Sequence, residues 1–108
     1  WFREGMAVQA AQGSPDARVL RQLGSAQSWL ANATADSLRF ADCGQQCYHI
    51  AHVLFDKWYT QYGPRKLTKL CRQMRQGAGF EEAFEVATGR THTQFVTGAL
   101  AELEDRLS

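Results

Sequence analysis

The sequence feature that most restricts the fold of this 108-residue chain is a run of apolar side chains at three- and four-residue steps: Cys47, Tyr48, Ala51, Leu54, Phe55, Trp58, Tyr59 and Tyr62. That spacing returns to one side of a helix every turn, so it predicts a long packing helix from about Gly44 to Tyr62. Gly63-Pro64 should end it, glycine supplying a left-handed cap and proline barring continuation. No segment alternates apolar and polar residues with period two, and the expected class is all-α. The architecture that follows is an irregular bundle of about five to seven helices around the central one.

The flanking segments follow the same logic. A first helix is expected from Trp1 to about Gln12, stopping at Gly13; Ser14-Pro15-Asp16 then offers an N-cap with proline at the first helical position of a second helix, to Leu23. Ser25 to Leu30 reads as one or two further turns, and Thr34 as the cap of a short segment through Phe40. After Pro64, Leu67, Leu70, Cys71 and Met74 mark an apolar face to Gln76. Phe80, Ala83, Phe84 and Ala87 mark a short amphipathic helix with Glu81 and Glu82 in its first turn, closed by Gly89. Thr91-His92-Thr93-Gln94 matches a capping box for a last helix burying Phe95 or Val96, Ala99, Leu100, Leu103 and Leu107.

Length fits one helical domain, residues 1–108. Twelve basic and eleven acidic side chains leave a net charge of +1, which does not call for nucleic acid as a partner. No stretch approaches the roughly 18 consecutive apolar residues of a membrane span. Cys43, Cys47 and Cys71 are an odd set that does not resemble a disulfide framework, and Cys47 and Cys71 read as small buried hydrophobes. Because the chain opens on Trp with a helical pattern already running, it reads as a piece of a longer polypeptide, whose compartment, envelope or cytoplasm, stays open.

Three constellations invite a chemical reading. Glu4 is a lone carboxylate in a largely apolar segment, on the meridian of Trp1, Val8 and Ala11, so burying that stripe would bury a charge that needs a partner. His49, His52 and Asp56 lie at i, i+3 and i+7 on one stripe of the long helix, a spacing that suits metal chelation but lacks a fourth partner; solvated histidines are the simpler expectation. Arg65, Lys66, Lys69, Arg72 and Arg75 form a basic run without interleaved acids, for which a solvated face or an intramolecular charge partner is expected. No phosphate loop, nucleophile elbow or His-Glu-x-x-His occurs.

Trp1-Phe2-Arg3-Glu4-Gly5-Met6-Ala7 resembles the Trp-Φ-x-Glu-Gly-Φ-Ala segment of gluzincin zinc metallopeptidases, where Φ is apolar. The order that follows is similar to the C-terminal half of the bacterial peptidase-MA-like family: a helix opened by Tyr48 and ending at Tyr62-Gly63, a Leu-rich helix, Gly79-Phe80-Glu81-Glu82-Ala83-Phe84 leading to Thr88-Gly89, and a last helix from Thr91. The resemblance covers nearly the whole chain. It implies that Glu4 is the third zinc ligand of a peptide hydrolase, and that Tyr48 donates a hydrogen bond to the oxyanion of a tetrahedral intermediate.

The two histidine ligands and the catalytic glutamate of that family are not in this sequence, since His49, His52 and His92 do not form His-Glu-x-x-His. The chain by itself is therefore expected to be inactive. Zinc and a peptide or protein substrate are expected only for the complete parent domain, with the missing N-terminal half as partner. A half-domain would expose the surface of Trp1, Phe2 and Val8, which predicts homo-oligomers of the isolated fragment. The alternative reading is a non-catalytic helical protein-interaction module.

Overall fold

The structure, a computed structural model, describes residues 1–24 and 45–107. The segments expected at Ser25 to Leu30 and Thr34 to Phe40, together with Cys43, lie outside the described residues. Those residues form helices α1 (Phe2–Gln12), α2 (Ala17–Gly24), α3 (Gln45–Arg75), α4 (Phe80–Thr88) and α5 (His92–Leu107), with no strand among them. The fold is all-α, as the periodicity requires.

Helix α3 is two helices joined through one bend. Gly63 has φ 82° and ψ 179°, which is not the left-handed helical cap expected there but an extended combination essentially confined to glycine, and Pro64 starts the second half. Proline costs nothing there, because the first turn of a helix has no intrahelical partner for its missing N–H. Gly89 closes α4 with φ 79° and ψ 5°, in the left-handed conformation. The capping box at α5 forms in both directions: the Gln94 amide donates to Thr91 Oγ1 at 3.1 Å, and the Thr91 amide donates to Gln94 Oε1 at 3.1 Å. At α2 the cap is Asp16 rather than Ser14. Its Oδ1 accepts from the amides of Arg18 (3.0 Å) and Val19 (3.2 Å), which places Pro15 outside the helix.

The first half of α3 is buried over a wider arc than the sequence suggests. Ile50, Ala51, Leu54, Phe55 and Trp58 are buried, as is His52, while Tyr59 and Tyr62 are half-buried and Tyr48 is exposed. Four helices pack against α3, so an arc of roughly 200° at 100° per residue is enclosed, whereas a helix lying on one surface buries a narrower stripe. On α5 both Phe95 and Val96 are buried, with Ala99, Leu100 and Leu103. Cys71 is a free, half-buried thiol.

The most extensive helix contact is between α1 and α3, which run antiparallel. Phe2 sits edge-on to Phe55 and Trp58, at ring separations of 5.3 and 4.8 Å, and Gly5 is pressed against Ala51 and Phe55. A Cβ on Gly5 would run into the Ala51 carbonyl oxygen and come within 2.6 Å of Phe55 Cβ. Only glycine lets the two backbones approach this closely. The Trp1 side chain, 4% exposed, stacks on Phe95 at 5.7 Å and meets Phe84 edge-on. Edge-to-face and stacked pairs each contribute about 0.5–1.5 kcal/mol beyond area burial.

Two sequence expectations are corrected here. Trp1 and Phe2 are covered by α3, α4 and α5 of the same chain, so they do not form the exposed surface invoked for self-association. The buried face of α1 centres on Phe2 and Gly5, while Ala11 is exposed and Val8 half-buried. The stripe of Trp1, Glu4, Val8 and Ala11 is therefore the border of the buried face, not its centre.

The Gly5 contact has a direct test in paired glycine substitutions followed by urea denaturation. Gly5→Ala should destabilise the fold by about 2–3 kcal/mol through overpacking. Gly98→Ala, in an exposed turn of α5 with open space around it, should stabilise by about 0.5–1 kcal/mol. Equal responses at the two positions would mean that the α1–α3 approach is looser than described.

Candidate functional site

Glu4 lies in the first turn of α1, on the rim where α1 leaves the core, and its side chain is 30% exposed. Its Oε2 lies 3.1 Å from the Trp1 backbone nitrogen, and no Lys, Arg or His side chain among the described residues is bonded to it. Partial burial pushes the carboxyl up, while its own backbone N–H and the Arg3 guanidinium pull it down. Glu4 is thus a reachable acceptor on a rigidly seated helix. The burial expected for it is only partial.

Tyr48 stands at the opening of α3 and is 42% exposed. It shares a groove of about 220 Å³ with Val8, Gln12, His49 and His52. Glu4 does not line that groove, so the structure does not place the two candidate residues of the sequence in one pocket. Because α1 and α3 are antiparallel, Tyr48 is level with the second and third turns of α1, and Glu4 with the first.

The histidine stripe is dismantled by the fold. His52 is buried, and its Nε2–H donates to the Gly13 carbonyl at 2.7 Å, tying the α1–α2 turn to the central helix. The expectation of a solvated histidine fails at this position because the partner is a backbone carbonyl 39 residues away, which local spacing does not reveal. His49 stays half-buried beside Tyr48. His92 packs against the rings of Phe80 and Phe84, and its Nε2 lies 3.3 Å from Glu81 Oε1. Among the described residues, no three His, Cys, Asp or Glu side chains converge on a point that could hold a metal ion.

Two further grooves flank α3. One, of about 370 Å³, lies between α3 and α5 and is lined by Val53, Asp56, Thr60, Leu103 and Arg106 beside the Lys57–Glu102 ion pair. Burial, then the Arg106 and Arg90 guanidiniums, hold the Lys57 ammonium below its ordinary value. The other, of about 330 Å³, is mainly apolar, with Met6, Ala10, Phe55, Tyr59 and Leu67 around Gln9. Arg65, Lys66, Lys69, Arg72 and Arg75 are all exposed, and none has an ion-pair partner among the described residues. Of the two outcomes expected for that run, the solvated face is the one observed.

No family model, no curated protein and no solved structure matches the chain.

Replacing His52 by Leu removes the donor while keeping the bulk, and leaves the Gly13 carbonyl short of its partner. A loss of about 1–3 kcal/mol in urea denaturation is expected; an unchanged midpoint would show that the bond holds nothing. The Asp16 cap of α2 gives a second test. Asp16 is held below its ordinary value by the Val19 amide foremost, and by the Arg18 charge and amide. For a depressed pKa the stabilisation is complete above the unfolded value and is lost as pH falls through the folded value. Thermal stability should therefore fall on acidification through the carboxylate range. In Asp16→Asn, which keeps a capping acceptor without the charge, that fall should be shallower. An acid limb parallel to that of the wild type would contradict the assignment.

Proposed function

We propose that this chain is the C-terminal helical subdomain of a gluzincin-like zinc metallopeptidase, supplying one zinc ligand and one wall of the substrate cleft. The observation that carries the reading is Glu4, in a Trp-Phe-Arg-Glu-Gly-Met-Ala segment, partly exposed at the rim of a helix whose Gly5, the next residue, is locked against α3. A carboxylate completes a site with two histidines, and a ligand gains from a backbone that cannot drift. Zinc, when bound, polarises a peptide carbonyl and its attacking water. Glu4 holds its negative charge in place, with the rigid first turn of α1 fixing its direction. The two remaining ligands and the general base would come from a segment of the parent protein carrying His-Glu-x-x-His.

Tyr48 is assigned the weaker role of a cleft residue. Its place beside Val8, Gln12 and His49 suits contact with an extended peptide running along α1, and from there its hydroxyl could stabilise an oxyanion only if the cleft brings substrate past both Glu4 and the opening of α3.

The test is the zinc content and zinc affinity of the full-length protein with Glu4 and with Glu4→Gln. Loss of an outer-shell partner alone typically costs about 10–100-fold in metal affinity, so removal of a direct ligand should cost at least that. Unchanged affinity and stoichiometry would overturn the ligand assignment. A parent sequence without His-Glu-x-x-His would overturn the enzyme.

A further inference from the structure

We infer that the second half of α3 is a docking face for an anionic lipid surface. From Lys57 to Phe80 the sequence contains no acidic residue, and residues 64–75 carry Arg65, Lys66, Lys69, Arg72 and Arg75, all exposed. At 100° per residue, Arg65, Lys69 and Arg72 fall within about 60° of one another, with Lys66 and Arg75 on either flank, and the row extends about 15 Å along the axis. Leu70, on the opposite side, is buried in the core, so the helix cannot turn its cations inward. The groove between α3 and α5 shows how this protein treats charges it keeps for itself: Lys57 is paired with Glu102. None of the five is treated that way among the described residues.

The shape and chemistry of the face select the partner. It is a convex ridge of cations with no aromatic residue in the stretch 64–76, so it offers no platform on which single-stranded bases could stack. Between the cations the Thr68 hydroxyl donates back to the Pro64 carbonyl at 3.0 Å and is not turned outward toward a partner. What remains is a row of positive charges that needs neither order nor register in its partner. A fluid, flat array of phosphate and carboxylate headgroups meets that requirement, and a cluster of four to eight Lys and Arg beside a helix is a known electrostatic match for it. Association would be electrostatic and superficial, since no helix of the described residues is long and apolar enough to cross a membrane.

The experiment is co-sedimentation with vesicles of phosphatidylcholine alone and of phosphatidylcholine with about a third phosphatidylserine. The protein should bind only the anionic vesicles, and binding should weaken as salt shortens the Debye length. The triple variant Arg65→Glu, Lys69→Glu, Arg72→Glu should lose about a hundredfold or more in partition coefficient. A control triple, Arg3→Glu, Arg21→Glu, Arg90→Glu, changes net charge equally from exposed positions elsewhere and should keep most of the binding. Circular dichroism and the thermal midpoint establish that both variants fold. Absence of binding to anionic vesicles at low salt, equal losses in the two triples, or tighter binding to duplex DNA or polyglutamate than to the vesicles would each overturn the proposal.

Discussion

The architecture depends on one close contact, the seat of Gly5 on the Ala51–Phe55 turn of α3. With no side chain at that point, α1 lies directly on the central helix, and everything around it is positioned as a result. Phe2 enters the aromatic core between Phe55 and Trp58, Trp1 reaches Phe84 and Phe95, and Gly13 arrives where His52 can donate to its carbonyl. The same seat sets the rotation of α1 that leaves Glu4 on the rim. A glycine directly after a candidate ligand is thus a positioning device: it holds the backbone of its neighbour against a rigid support.

The core that receives α1 is largely aromatic. Trp1, Phe2, Phe55, Trp58, Phe84 and Phe95 form a continuous set of stacked, tilted and edge-on pairs linking α1, α3, α4 and α5. Rings are rigid and their pairing is directional, so such a core transmits position well. This cohesion also means that Trp1 and Phe2 are used inside the chain, and the surfaces that the described residues leave to a partner include the Glu4 rim, the grooves beside α3 and the basic ridge of residues 64–75.

The sequence was legible wherever the determinant was local. The Gly63-Pro64 bend, the Thr91–Gln94 capping box and the Gly89 cap each depend on residues within a few positions, and each forms where spacing predicts. Reading failed where the determinant was a distant partner. His52 sits on what looks like a polar stripe, and only the arrival of Gly13 makes it a buried donor. Ile50 lies outside the one-sided apolar stripe and is nevertheless buried, because four helices surround α3. Glu4 shares a meridian with Trp1, Val8 and Ala11, but α1 meets α3 most closely at its smallest residue, Gly5, which turns that meridian to the border. The same principle explains why Asp16 displaced Ser14 as the cap of α2: both suit the role, and the path of the chain after Gly13 decides between them.

We propose that the Gly5 seat presents Glu4 to a zinc ion whose other ligands lie elsewhere in the parent protein. Anomalous diffraction at the zinc edge from crystals of the full-length protein tests it most directly. The account predicts a single zinc peak with a Glu4 carboxylate oxygen about 2.0–2.2 Å from it and two histidine nitrogens completing the protein ligands. A zinc site that excludes Glu4, or Glu4 turned away from a fully liganded ion, would contradict it.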